Sequence, residues 1–276
     1  MPTPRRRRQR RFTPHVPPVA PANVLMGPDI SLHAGMPALD AVHSTATIRS
    51  PGTAGRTYTV LRTTEVDSYE LEAAAKKGLP APGPLAPIPT GDSFKGTARK
   101  AAKLSIAKAP VEAFKDLRTL VKSLALDATM ASLKPPITTT ATSDRVSQEK
   151  RNIRVKAFLY AASRESDNDF HLIVGADPKT SPEVYMTMEL SGLPPKSAKA
   201  HAKLKAARDA YSTFFGGNLP GLTYDFYQPP IPIQVEGSLF FDVTHATGQR
   251  PGPPSLKSRM PTIWEVHPIS SIVLEP

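Results

Sequence analysis

Ile153-Arg154-Val155-Lys156-Ala157-Phe158-Leu159-Tyr160 is the stretch from which the fold can be read. Ile153, Val155, Ala157 and Leu159 alternate with Arg154, Lys156, Phe158 and Tyr160, and a period of two puts the two sets on opposite faces of a β-strand. The pattern recurs downstream. After a turn at Ser166-Asp167-Asn168, the run Asp169–Gly175 sets Phe170, Leu172 and Val174 against Asp169, His171 and Ile173. After Asp177-Pro178-Lys179, Val184, Met186, Met188 and Leu190 alternate with Tyr185, Thr187 and Glu189. Turn residues so close to the strands join the three as an antiparallel meander. The period then changes. Between Pro194-Pro195 and Gly216-Gly217, Leu204, Ala207, Tyr211 and Phe214 line one face of a helix over Lys196–Phe215. Strand patterns return in Ile233–Val243, where Gly237 fits a bulge, and in Ile263–Leu274.

Strand, strand, strand, helix, strand, strand is the element order of the OB-fold, a small Greek-key barrel. The expectation is a mainly β chain, α+β overall. Residues 136–276 form a five-stranded OB-like antiparallel barrel with its helix between the third and fourth strands. Residues 45–135 read as an N-terminal helical extension. In it, Arg56–Thr63 alternates like a short strand, Ser68–Lys77 suits a short helix, and residues 79–90 (LPAPGPLAPIPT) are a proline-rich spacer. Two further helices are expected. One is the basic, alanine-rich Ser93–Lys108. The other starts at Pro110 and carries an apolar stripe of Phe114, Leu117, Val121, Leu124, Ala128 and Ala131 until Pro135-Pro136 stops it. The stripe packs on the barrel or the preceding helix, or else meets a partner. Residues 1–44 are expected to be a disordered, basic, proline-rich tail.

Charge is unevenly spread. Arg5, Arg6, Arg7, Arg8, Arg10 and Arg11 supply more than half of the formal +11, and the segment from residue 136 onward is close to neutral. Such a run is either a counterion-releasing arm for nucleic acid or anionic lipid, or a solubilising tail. Prolines follow it where a signal peptide would have an apolar core, so the expected address is cytoplasmic by default. No run approaches the ~18–20 apolar residues of a membrane span. With no cysteine, disulfides, thiolate zinc sites and cysteine nucleophiles are excluded.

The runs Asp167–Asp177 (DNDFHLIVGAD), Phe240–His245 (FFDVTH) and Trp264–Ile272 (WEVHPISSI) resemble an uncharacterised group of bacterial, often secreted, proteins. Members of that group carry a C-terminal OB-like domain with an HLV strand, an FFD-x-x-H segment and a closing Glu-x-His-Pro. The resemblance covers roughly residues 145–276, with a fainter echo in residues 57–67 (TYTVLRTTEVD). It implies the extent of the domain and no activity, because none is assigned to the group. This chain differs in opening on arginines where those proteins have a secretion signal.

Three kinds of site can be drawn from the residues. The first is an OB-type ligand face of Arg154, Lys156, Phe158, Tyr160, His171, Tyr185 and Thr187, joined by Arg250, Lys257 and Arg259 from the loop between the last two strands. Rings that stack on bases beside cations that meet phosphates suit single-stranded nucleic acid. The second is an ionisable group of Asp169, His171, Asp242, His245, Glu265 and His267, able to hold a divalent metal and its activated water. In OB order the second and fifth strands are not neighbours, so the expected site is the smaller set Asp242, His245, Glu265 and His267. Mutual pairing of Glu265 with His267 is the bland alternative. The third is nucleophilic catalysis, for which no Gly-x-Ser-x-Gly elbow or phosphate-binding glycine loop is present.

The sequence-based expectation is thus a non-enzymatic OB-like binding module for single-stranded nucleic acid or another anionic polymer. It would bind through the barrel face and the Arg5–Arg11 tail, with no catalytic residue or cofactor implied. The alternatives are a metal-dependent hydrolase or phosphodiesterase, and a structural or assembly protein.

Overall fold

The computed structural model describes residues 35–276 except 52–54, 77, 79–80, 82, 85–89, 181–182, 248–249 and 257–258, so the Arg5–Arg11 run and Lys257 lie outside the described residues. The described residues belong to one compact unit. It is mainly β. The strands are β1 (Val42–Arg49), β2 (Thr57–Thr63), β3 (Val111–Phe114), β4 (Asn152–Arg164), β5 (Phe170–Gly175), β6 (Tyr185–Leu190), β7 (Asp225–Phe241) and β8 (Trp264–Leu274). The helices are α1 (Ser68–Lys76), α2 (Lys100–Lys103), α3 (Leu117–Lys122), α4 (Asp127–Ala131) and α5 (His201–Phe215). All eight strands belong to one mixed sheet in the order β1-β2-β7-β8-β6-β5-β4-β3, with β7 also paired to β4. The pairs β6–β8 and β3–β4 are parallel, and the others are antiparallel.

The alternation that marks Ile153–Tyr160 does what a period of two requires. Ile153, Val155 and Leu159 are fully buried, together with Leu172, Met188, Leu239 and Val266 from the neighbouring strands, in one continuous core. Burial of this apolar surface is the main stabilising term. At Leu159/Ala161 the register shifts, which lets β4 pair with β5 on one side and β7 on the other. Helix α5 buries Leu204, Ala207, Tyr211 and Phe214, the face expected for it, and ends at Gly216 with φ 55°. The bulge at Gly237 is present as register shifts on both sides of the residue. A Cβ there would meet Val266 Cγ1 and stand 2.6 Å from the Pro268 carbonyl oxygen, so only glycine lets β8 approach.

Three expectations need correction. First, the sheet has eight strands rather than five, because β1, which begins at Val42 within the expected tail, and β2 and β3 of the expected N-terminal extension pair into the same sheet as residues from 136 on. Second, the long helix from Pro110 does not form. Val111–Phe114 pairs instead with Asn152–Val155, and Asp116 starts a separate helix by accepting a hydrogen bond from Thr119 N at 2.9 Å. A backbone ladder and an N-cap together outweigh a three-and-four spacing. Of the expected stripe, Leu117 is buried in the core and Phe114, Val121 and Leu124 pack against it half-buried, while Ala128 and Ala131 are exposed; Leu120 and Met130, outside the stripe, are buried instead. Third, Ser93–Lys108 reduces to the single turn α2. Arg99, just before it, has a left-handed backbone with φ 50°, held by bonds from its guanidinium to Glu149, Asp144 O and Phe241 O.

Strand β7 begins eight residues before the expected Ile233, despite Pro229 and Pro230. These prolines fall between the stretch paired with β2, which ends at Gln228, and the stretch paired with β4, which resumes at Ile231. A residue without an N–H costs nothing where no ladder bond would form.

Candidate metal centre

The strands that bury Leu172, Met188 and Val266 on one face must present His171, Glu189, Glu265 and His267 on the other. Register aligns them: His171 lies opposite Glu189, and Thr187 opposite Glu265. Three other segments cover this face. The turn between β4 and β5 brings Glu165, Asp167 and Asp169. The 3-10 turn Val243–Thr247 after β7 brings His245, preceded by Asp242, and the residue that ends α2 is Lys103. His267, Glu265, Asp169 and His171 are at most 1% exposed and Glu189 is 3% exposed, so the cluster is buried despite its charge.

Its interactions are incomplete. His267 Nδ1 lies 2.8 Å from Glu189 Oε2 and 3.7 Å from Glu265 Oε2, and its Nε2 lies 3.4 Å from Asp169 Oδ2. None of these atoms has a partner in hydrogen-bonding geometry among the described residues. The same holds for Glu265 Oε1, His171 Nε2 and His245 Nδ1. Leaving one such group unsatisfied costs about 1–3 kcal/mol, so several of them close together make this face able to accept a ligand. The surrounding groups are, by contrast, well anchored. Asp169 Oδ1 accepts from Gly192 N at 2.5 Å, and Asp242 Oδ1 from Thr244 N and Oγ1 at 2.8 and 2.6 Å. His171 Nδ1 is held by Glu165 at 2.7 Å and by the Tyr224 hydroxyl at 3.2 Å, which turns Nε2 toward the cluster. Arg145 donates to the His267 carbonyl at 2.7 Å and also to Leu239 O and Ala102 O, pinning β8 from behind.

Electrostatics agree with the geometry. Burial, reinforced by Glu189 and other neighbouring carboxylates, pushes the carboxyls of Glu165, Asp169 and Glu265 well above the usual range. Burial would raise Glu189 too, but His267 and Lys103 hold it well below. Burial draws His267 down, against the pull of Glu189. Burial also opposes the charge on Lys103, yet Glu189, Asp167, Asp169 and Asp242 keep it well above its ordinary value.

Three sets of side chains bring one ligand atom per residue within 4.8 Å of one another: Glu165/His171/Glu189, Asp169/Glu189/His267 and Asp242/His245/Glu265. Glu189 belongs to two of them. Part of the cluster lines a cleft of about 640 Å³ whose wall includes Glu165, Glu189, Asp242, His245, Lys103 and Tyr69, while Asp169, His171, Glu265 and His267 are buried behind it.

The six ionisable residues singled out in the sequence fall into three adjoining groups, and the four expected to form one site are divided: Asp242, His245 and Glu265 stand together, while His267 stands with Asp169 and Glu189. The reason is β6. It lies between β5 and β8 and carries Glu189, which spans the gap that strand order alone left open. Glu189, Glu165 and Lys103 were the residues missed. Only Glu189 had a local signal, as an acid within the apolar run Tyr185–Leu190.

The expected ligand face does not assemble. Tyr160 and Tyr185 pack edge to face at 5.0 Å inside a second apolar cluster with Leu61 of β2 and with Leu256 and Met260 of the last loop, so neither ring is open for stacking. Phe158 is half-buried against the same cluster. Arg154 pairs with Glu236 at 2.6 Å, Arg250 with Asp127 at 2.8 Å and Arg259 with Glu183 at 2.7 Å, while Lys156 is exposed. His171 and Thr187 belong to the buried ionisable face instead. Sequence alternation placed these side chains outward correctly, but it could not show that β2 and the last loop cover them.

No protein-family model, curated protein or solved structure matches this chain. Among the described residues no helix is long and apolar enough to cross a membrane.

Proposed function

We propose that this chain is a divalent-metal-dependent hydrolase built on an OB-like barrel. Support for the barrel is the cycle of pairings β4–β5–β6–β8–β7–β4, antiparallel except for β6–β8, with α5 between its third and fourth strands. Strands β1, β2 and β3 extend it. Support for the metal is the set of buried, unpartnered carboxylate and imidazole atoms around Glu189.

In this reading Asp169, Glu189 and His267 would hold a cation, and Glu189 also stands beside His171, whose Nε2 would be a further donor. Mixed imidazole and carboxylate donors suit zinc, manganese or ferrous iron better than calcium or magnesium. Such cations supply Lewis-acid activation of water and of the scissile bond. The chain's own groups do the rest. Arg145 fixes the His267 backbone, Glu165 and Tyr224 orient His171, and His245 stands on the cleft wall with Nδ1 free to take a proton from the attacking water.

The binding-module reading is weakened because Tyr160 is buried and Phe158 half-buried against the second apolar cluster, and the assembly reading because the expected helix is broken by a strand and two short helices. Elemental analysis of purified protein, repeated after chelation and reloading with zinc or manganese, tests the proposal. Metal retained by the wild type and lost in Glu189→Gln is expected. Wild-type protein that takes up neither ion would sink it.

A further inference from the structure

Lys103 enters the acidic cleft as a cation without a hydrogen bond of its own. Its side chain is 12% exposed, its Nζ lies 4.0 Å from Asp167 Oδ2, and the Phe240 ring is 5.8 Å away. Among the described residues its Nζ makes no hydrogen bond, which leaves N–H donors for a ligand. The neighbouring Arg99 differs: it is buried, and its terminal nitrogens are taken by Glu149 and by backbone carbonyls. Lys103 thus lines the same cleft as Glu165 and Glu189 of the candidate cation groups. At the lip stands Tyr69, 40% exposed and edge-on to the His245 ring at 5.5 Å. Lys95, exposed, lies on the same rim.

We propose that the cleft takes a phosphate ester, with Lys103 meeting a non-bridging phosphoryl oxygen and Tyr69 stacking on the esterified group. The inference rests on the metal-centre reading above. Its chemical logic is charge distribution. Phosphoryl transfer spreads negative charge over three equatorial oxygens, which are matched by positive charges arriving from several directions. Acyl transfer concentrates it on one oxygen, which a single cation serves. Water attacks phosphorus, the bond from phosphorus to the leaving oxygen breaks, and the proton lost by water passes to His245 while the leaving oxygen departs as an alkoxide or aryloxide. An aromatic ring beside the reacting centre favours esters of flat groups, because stacking requires only a π-face. The cleft volume of about 640 Å³ is that of a small-molecule site, sufficient for a nucleotide unit.

The test uses the full chain loaded with zinc or manganese, with bis(p-nitrophenyl) phosphate and p-nitrophenyl acetate as probes. Hydrolysis of the phosphodiester is expected, with inorganic phosphate as a competitive inhibitor. Lys103→Met should lower kcat/KM for the phosphodiester by roughly a hundredfold at unchanged metal content, and Lys103→Arg should recover part of it. Tyr69→Ala should raise KM several-fold while Tyr69→Phe does not. A loaded wild type that cleaves only the acetate, or is indifferent to phosphate, overturns the phosphate inference and leaves the metal reading standing. Absence of bound metal overturns both. Because the wild-type measurements alone can support or overturn the inference, a Lys103→Met chain that fails to fold does not shelter it.

Discussion

Asp225 shows how a single buried charge outside the candidate site sets the behaviour of the chain. Burial pushes its carboxyl up to about 7, against the weaker pull of Arg62 at 3.9 Å. An unfolded aspartate ionises near ~4, so between pH 4 and 7 the unfolded chain gives up a proton that the folded chain keeps. The contribution of Asp225 to stability is therefore complete below pH 4, falls as pH rises through this window, and is flat above it. Replacing it by asparagine should remove that slope and raise stability at pH 8 by something on the order of 1–4 kcal/mol. Urea unfolding of wild type and Asp225→Asn at pH 5 and pH 8 reads the difference. Equal slopes would show that the carboxyl is ionised when folded. The asparagine amide would also retain a polar group for the otherwise unpartnered position of Asp225 Oδ2.

At the scale of elements, the strand that carries the site depends on one glycine outside it. Gly237 sits where β7 bends, in contact with Val266 and the Pro268 carbonyl, on either side of His267. Gly237→Ala should cost about 1–3 kcal/mol through overpacking, and the displacement of β8 should weaken metal retention even though no ligand is changed. Chemical denaturation together with metal content checks this. A variant as stable and as metal-bound as wild type would mean that β8 yields without consequence. This bulge was legible in the sequence, as were β4, β5, β6, α1, α5 and β8, each within a few residues at its ends. These elements announce themselves through uninterrupted period-two or amphipathic patterns bounded by Pro, Gly or Asp turns. The segment from Pro110 to Ala131 was not legible. Its apolar spacing is helical, but Val111–Phe114 is taken by the edge of β4, an interaction about forty residues distant in sequence that no local pattern encodes.

For the whole molecule, the cost of the ionisable face is the dominant question. Glu165, Asp169 and Glu265 are buried close to Glu189, an arrangement that opposes folding unless protons or a cation neutralise it. A cation that binds only the folded state adds about 2.7 kcal/mol at a hundredfold excess over its Kd. For a chain of this size that corresponds to a rise in Tm of roughly 5–10 °C. Thermal unfolding of chelated protein with and without added zinc or manganese should show it, and Glu189→Gln should abolish it. An identical Tm with and without cation in the wild type would argue that the face is satisfied by protons alone.

The sequence by itself determined the local periodicities, and with them the strands, α5 and the fact that Asp169, His171, Glu265 and His267 share faces with their strand partners rather than with the core. It determined that thiolate chemistry was absent and that the charged run is separate from the β-rich segment. Only the tertiary structure decided that β6 would stand between β5 and β8, that Glu189 would join the two ends of the site, and that Lys103 would enter it from above. It also decided that Tyr160 and Tyr185 would be covered. The physical reason is range: side-chain direction along a strand follows from neighbours two residues apart, whereas which strands lie side by side, and what covers their outer face, is settled by contacts between residues far apart in the chain.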